Sequence, residues 1–355
     1  MSGIVTERVD GVGSDVPVLA VEDLRVHFPV GRSLGVRRGV VKAVDGVSFE
    51  VRKGETLGVV GESGCGKSTI GMAVQGLVPV TSGSIAINGQ DVSRARGRAR
   101  QASRRQTQMI FQDPTSSLNA RMTVGELLEE PLVVHHLVPA AERRRRVHEL
   151  LDQVHLPREA ADRYPHEFSG GQRQRVSIAR ALAVDPALIV CDEPIASLDL
   201  SVRAQILNLL KELQRETDLA LLFISHDLAA VSHISDRVLV MYLGRAMELT
   251  TRERVYAEPV HPYTRALLSA VPVPDPDVER SRQRILLRGE VPSPLDPPSG
   301  CVFRTRCPVA LPTCADDRPT WTAVGGPDPH DVACHRSGEL LAELPTDLAE
   351  ALTPR

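Results

Sequence analysis

The sequence predicts an α/β fold organised around a mostly parallel sheet, and three observations carry that expectation. Short apolar runs alternate with segments of helical periodicity through most of the chain, the pattern of strands joined by crossover helices. One run, Thr56–Val60 (TLGVV), leads straight into a glycine-rich string, GESGCGKST at Gly61–Thr69. Another, Ala187–Val190, ends in Cys191, Asp192 and Glu193; Pro194 cannot continue a central strand, so both acids stand at a C-terminal sheet edge.

Residues 1–17 read as a flexible lead-in, and from Val18 to about Val92 β-rich runs surround the glycine-rich string. Within them Val47, Phe49 and Val51 alternate with Ser48, Glu50 and Arg52, the period of a half-buried strand. The string matches G-x-x-x-x-G-K-[ST], with Glu62, Ser63, Gly64 and Cys65 at the variable positions. Gly61, Gly64 and Gly66 let backbone N–H groups wrap phosphate oxygens, Lys67 reaches the β- and γ-phosphates of ATP, and Ser68 offers a hydroxyl to Mg²⁺. Thr69 opens a helix over about Lys67–Gly76, whose N-terminus favours anions. At roughly 7% glycine usage the bare pattern arises by chance in on the order of one chain in a hundred of this length. The strand–loop–helix context makes nucleotide binding the stronger reading, and Asp192 and Glu193 then suit Mg²⁺ coordination and water activation.

Past Gln112 the pattern turns helical: Val147, Leu150, Leu151 and Val154 share a face, and a turn containing Pro and His follows at Leu156–Glu167. In the next string, FSGGQ at Phe168–Gln172, the residues Ser169, Gly170 and Gly171 are placed to cap a helix beginning near Gln172. Its N-terminus is a second anion-binding element, one that the Gly61–Thr69 site cannot share, so the two motifs predict a dimer. Farther on, Val202, Ile206, Leu209, Leu210 and Leu213 form a helix face, and the apolar run LALLFIS ends at His226. That places His226 at a strand's C-terminal edge beside Asp192, where a neutral imidazole can hydrogen-bond a γ-phosphate.

Composition sets limits on partners and location. A formal net charge of −3 and 3% aromatic residues offer few stacking platforms, so the arginines at Arg94–Arg105 and Arg143–Arg146 read as solvated faces and no nucleic-acid partner is expected. No apolar run approaches the roughly 20 residues needed to span a bilayer, and MSGIVTERVD lacks a signal peptide's basic and apolar regions. A soluble, cytoplasmic chain is expected.

Past Glu258 the composition shifts, with seven prolines from Pro272 to Pro298, then Cys301, Cys307, Cys314 and Cys334. Three chemistries suit clustered cysteines. Disulfides are disfavoured in a reducing cytosol. A structural zinc site normally shows C-x₂₋₄-C pairs, absent here, although His330 and His335 are available to a mixed set. An iron–sulfur cluster tolerates varied spacing. The residues favour a metal or cluster over free thiols without choosing between them, while Cys65 and Cys191 read as small packing residues.

The string FSGGQRQRVSIARAL resembles the signature motif of ABC-type ATPases, with Phe168 where leucine is usual. Other motifs follow in that family's order: IFQD with Gln112, VCDEP with Asp192 and Glu193, SLD at Ser197–Asp199, and FISHD with His226. Around SLD the chain has Ala196, Ser197, Leu198 and Asp199 where the family commonly has Ser-Ala-Leu-Asp, so the serine has moved and Asp199 is kept. HPYTRALLSAVPVPDPD and GEVPSPLDPPSGCVFRTRCP resemble the C-terminal region of ATP-binding subunits of oligopeptide and dipeptide importers.

This resemblance implies an ATPase core at 18–257 with an antiparallel β subdomain and a helical subdomain at about 113–175, a cysteine-bearing region at 258–340, and a tail at 341–355. It also implies a head-to-tail partner ATPase, identical or paralogous, that contributes Ser169–Gln172 and Asp199 to the nucleotide. Two membrane permeases and an extracytoplasmic substrate-binding protein would complete the assembly, with this subunit peripheral at the cytoplasmic face. Gln112 and His226 would sense the γ-phosphate, Gln112 with a contact to Mg²⁺, and Phe28 is the nearest aromatic for stacking on adenine. For Cys301, Cys307, Cys314 and Cys334 it implies a 4Fe-4S cluster, Zn²⁺ being the alternative. Peptides are the implied cargo, with nickel complexes, glutathione or another small solute as the alternative and a soluble non-transport ATPase as a remoter one.

Overall fold

A computed structural model describes residues 16–33, 36–272, 280, 284–325 and 330–342. The first half comprises β1 (Leu19–Ser33), β2 (Val36–Val51), β3 (Thr56–Val60), α1 (Lys67–Val74), β4 (Ser82–Ile87), β5 (Gln90–Asp91), α2 (Gly97–Gln106), β6 (Thr107–Ile110), α3 (Pro114–Ser117), α4 (Val124–Val134) and α5 (Ala140–Gln153). The second comprises α6 (Gly170–Leu182), β7 (Leu188–Asp192), α7 (Leu200–Thr217), β8 (Ala220–Ile224), α8 (Leu228–Ile234), β9 (Arg237–Tyr242), β10 (Arg245–Thr251), α9 (Arg252–Ala257), α10 (Pro262–Ser269), β11 (Thr322–Ala323) and β12 (His330–Val332).

Two sheets result. An antiparallel one runs β2–β1–β4–β5, and on β2 the buried Val47, Phe49 and Val51 point inward as their alternation predicts. The larger sheet runs β11–β12–β10–β9–β3–β8–β7–β6. Its strands from β9 to β6 are parallel, whereas β10, β12 and β11 join antiparallel at one edge. Every residue of β3 and β8 is buried, which is why both read as unbroken apolar runs.

The stretch between β6 and β7 is helical, as the periodicity indicates. A capping box starts α4: Glu126 N–H donates to Thr123 Oγ1 at 3.3 Å and Thr123 N–H to Glu126 Oε2 at 2.7 Å. Helix α5 buries Val147, Leu150 and Leu151, leaving most of its arginine-rich face to solvent. Helix α2 buries none of its residues, so its arginines also form a solvated face.

The C-terminal region is stitched into the main sheet rather than appended to it. Strand β12 pairs with β10, and there Glu248 and His330, both with fully buried side chains, meet at 2.7 Å. Glu248 also accepts from Val260 N–H at 2.9 Å and His261 N–H at 3.0 Å, tying the sheet to the start of α10. His261 Nδ1 accepts from Tyr263 N–H at 3.1 Å and so caps α10.

Candidate functional site

Strand order explains how motifs scattered along the sequence come together. Because β3, β8, β7 and β6 are parallel neighbours, the segments leaving their C-terminal ends emerge at one sheet edge. Those segments carry the Gly61–Thr69 loop, His226, Asp192 with Glu193, and Gln112.

The loop is built around glycine. Gly61, Gly64 and Gly66 all have positive φ, and Gly66 at 105° immediately precedes α1. A Cβ there would lie 2.0 Å from the Ala43 carbonyl oxygen, so no other residue fits without moving backbone. Ser63 is exposed and Cys65 buried, with burial pushing the Cys65 thiol pKa up, as suits a packing residue. The buried Lys67 Nζ donates to the carbonyls of Gly61 at 2.8 Å and Glu62 at 3.1 Å, which holds its charge inside the loop. Thr69 lies half-buried in the first turn of α1.

Ser68 Oγ donates to Asp192 Oδ1 at 2.8 Å. Burial, reinforced by the neighbouring Glu193 charge and only partly offset by Ser68, raises the Asp192 pKa. A hydroxyl and a carboxylate side by side are hard oxygen donors, the set that Mg²⁺ takes alongside phosphate and water. Glu193 adopts a left-handed φ of 47°, and its N–H donates to the Ile224 carbonyl at 2.9 Å. A non-glycine residue in this region carries about 1–3 kcal/mol of strain. His226 Nδ1 stands 3.1 Å from Glu193 Oε2, and Gln112 Nε2 lies 3.4 Å from the same oxygen. The three side chains that the motifs single out thus meet at one carboxylate.

The FSGGQ motif is built elsewhere. Ser169 is the N-cap of α6: its Oγ accepts from Gln172 N–H at 3.3 Å, and Gln172 Oε1 accepts from Ser169 N–H at 2.9 Å. Ser169 is exposed, and a Cβ on Gly171 would lie 2.4 Å from Val202 Cγ1, so the glycine permits α6 and α7 to approach. Gly170 faces Leu198 in the same seam, and the exposed Asp199 is the N-cap residue of α7. Among the described residues no hydrogen bond or ion pair joins Ser169–Gln172 to Gly61–Thr69. Phe168 is buried beneath the Arg163 guanidinium, 4.5 Å from its ring centre, and so performs the packing expected of an apolar residue there. Phe28 is half-buried and packs against the core that includes the antiparallel sheet.

The cysteines of the C-terminal region are free thiols packed against apolar side chains. Cys301 is buried against the main core with Cys307 and Cys314 packed beside it, whereas Cys334 packs with Val260, Val324 and Val332. Burial pushes the Cys301 and Cys334 thiols up, and Cys307 to about 11. Among the described residues no group of three or more His, Cys, Asp or Glu is arranged to hold a metal ion, and His330 is taken by Glu248. The four thiols nonetheless lie near one another, since Cys307 feels the charge of Cys301, Cys314 and Cys334, and Cys334 that of Cys301 and Cys314.

Sequence reasoning missed two partners of the phosphate loop. Glu62 N–H donates to Tyr263 Oη at 2.9 Å, and Arg306 donates to the Glu62 carboxylate at 2.8 and 3.1 Å. The contacts span 201 and 244 residues, and no local spacing signals them.

Two family models match the chain. A model of the ABC transporter family matches residues 44–196, and a model of the oligopeptide/dipeptide transporter C-terminal region matches 247–314. The oligopeptide transport ATP-binding protein OppF of Escherichia coli is 54% identical over 89% of this chain and 95% of its own length. The chain belongs to the oligopeptide-transport ATP-binding protein family. AppF of Bacillus subtilis, described as an oligopeptide transport ATP-binding protein, is 52% identical over 90% of this chain and 97% of its own length.

Solved relatives of the family's ABC core include cbiO1 of Clostridium perfringens, part of an ABC transporter complex, with TM-score 0.59 and 29% identity over 68% of this chain and 91% of that one. The ATP-binding cassette MJ0796, solved as a dimer with ADP and Pi, matches with TM-score 0.58 and 27% identity over 66% and 98%. As a member of this family the chain is an ABC-type ATPase.

Proposed function

We propose that this subunit hydrolyses ATP at the interface with a second ATPase subunit, identical or paralogous, and that the cycle powers import of oligopeptides or dipeptides. The observation that carries the reading is the meeting of Gln112, Glu193 and His226 beside the Ser68–Asp192 pair, with the capped N-terminus of α6 left exposed for a partner's nucleotide. The dimeric cassette with ADP and Pi and the names of OppF and AppF support it.

In this reading the loop amides and Lys67 neutralise phosphate charge. Ser68, Asp192 and Gln112 would hold Mg²⁺, and the ion would offset charge on the transferring phosphoryl group. Glu193 accepts a proton from the attacking water, and His226 orients that water and the γ-phosphate. Ser169–Gln172 and Asp199 complete the partner's site, and the same residues of the partner complete this one.

Two membrane permeases and an extracytoplasmic binding protein complete the proposed assembly, with this subunit peripheral at the cytoplasmic face. Among the described residues no helix is long and apolar enough to cross a membrane. A cavity of about 340 Å³ lined in part by Leu77, Glu130, Val134, Arg180 and Phe111, the residue before Gln112, supports a permease contact there. Leu77, Phe111 and Val134 are exposed apolar side chains that such a contact would cover. In the same reading the chain divides into an ATPase unit at 18–257, with its helical subdomain at about 113–175, and a C-terminal region at 258–340.

The test is ATPase activity of the chain co-purified with its permeases in vesicles. Addition of peptide-loaded binding protein is expected to raise turnover; a rate that responds to neither permease nor peptide overturns the import reading. For Cys301, Cys307, Cys314 and Cys334 the finer proposal is a 4Fe-4S cluster, supported by sequence resemblance alone. Anaerobic purification is expected to yield a brown protein containing iron and acid-labile sulfide. Stoichiometric zinc without iron, or four freely titrating thiols and no metal, overturns it.

A further inference from the structure

The C-terminal region reaches back to hold the phosphate loop. Arg306, immediately before Cys307, directs one guanidinium nitrogen at both carboxylate oxygens of Glu62, and its side chain is only 10% exposed. Its guanidinium also lies 5.8 Å from the centre of the Tyr242 ring, within the packed group of Tyr242, Tyr263 and Phe303. The backbone places it there through a turn in which Arg304 N–H donates to the Cys301 carbonyl at 3.1 Å and Arg306 N–H to the Phe303 carbonyl at 3.0 Å.

At the other end of the contact, each polar group of Glu62 has a partner: the carboxylate has Arg306, the N–H has Tyr263 Oη, and the carbonyl has Lys67 Nζ. Two consequences follow. The peptide that leads into the loop is held in one orientation from outside the loop. The Glu62 charge, which would otherwise repel a triphosphate bound beside it, is neutralised by a cation in a site poorly screened by salt.

We propose that Arg306 is a positioning residue for ATP: it clamps and neutralises Glu62, and so makes nucleotide affinity depend on the folding of the cysteine-bearing region. The proposal rests on the reading of Gly61–Thr69 as the phosphate cradle.

The experiment measures equilibrium ATP binding and steady-state hydrolysis by the full chain with its permeases. Arg306→Ala is expected to weaken ATP binding and raise KM about tenfold, the scale of one charge-assisted hydrogen bond, with kcat changed less than about twofold. Arg306→Lys, which keeps the charge, is expected to recover most of the affinity. Arg306→Ala combined with Glu62→Gln is expected to bind ATP more tightly than Arg306→Ala alone, because the stranded carboxylate is gone. A purely structural arginine would show no such rescue.

An unchanged KM in Arg306→Ala, or no rescue by either second variant, overturns the proposal. If Arg306→Ala does not fold, Arg306→Lys and Glu62→Gln compared with wild type decide the matter through the same KM–kcat split. Lys67→Ala separates the two readings: if it binds ATP as the wild type does, the cradle reading itself fails, whereas loss of binding there with an unaffected Arg306→Ala refutes only the clamp.

Discussion

Glu193→Gln is expected to lower ATP turnover by about 10²–10⁴-fold while leaving ATP-driven dimerisation intact. The amide keeps the shape of the carboxylate, and with it the hydrogen-bonding reach toward His226 and Gln112, but it cannot take a proton from water. Nor does the change weaken the neighbouring Ser68–Asp192 pair, since Glu193 adds repulsion to Asp192 rather than support. Single-turnover hydrolysis together with size analysis in ATP checks both halves. Turnover near the wild-type rate would remove Glu193 from the proton-accepting role, and loss of dimerisation would show that the side chain serves the interface instead.

The second large effect concerns stability. Glu248→Ala is expected to destabilise the chain by about 3–5 kcal/mol, the cost of leaving several buried hydrogen-bonding groups without their acceptor. The change strands His330 and leaves the N–H groups of Val260 and His261 without their acceptor. Burial pushes the Glu248 pKa up, but hydrogen bonds from His330, Thr264 and Val260 outweigh it and hold the carboxyl below its ordinary value. Its contribution is therefore present above the unfolded carboxylate pKa and is lost as pH falls through the lower folded value.

His261 acts in the same direction, because burial lowers its pKa to about 4 and protonation would remove the Nδ1 acceptor that caps α10. Its contribution is complete above the unfolded histidine value near 6.5, and about 3 kcal/mol is lost as pH falls from there through 4. Denaturant unfolding of wild type and variant at several pH values measures both effects. A variant within about 1 kcal/mol of wild type at pH 7, or a wild type whose stability is flat between pH 7 and 4, contradicts this account.

The nucleotide motifs were legible because their chemistry is local. Gly61, Gly64, Gly66, Lys67 and Ser68 need only a strand before them and a helix after them, and the sequence shows both. Ser169 and Gln172 cap one another three residues apart, so that helix start is equally readable. The four cysteines had no such local geometry. Their spacing chooses no chemistry, and only the fold brings Cys334 near Cys301, Cys307 and Cys314.

By itself, the sequence determined the parts of a phosphate-binding ATPase and the alternation of strands and helices that carries them, because hydrogen-bond periodicity and loop stereochemistry act over a few residues. Only the tertiary structure decided that Gln112, Glu193 and His226 share one carboxylate, that the His330 side chain meets Glu248 across the β10–β12 pair, and that Arg306 grips Glu62. Such contacts depend on strand order and on which faces pack together. Residues more than 200 positions apart, as Arg306 and Glu62 are, acquire those relations only when the whole sheet closes.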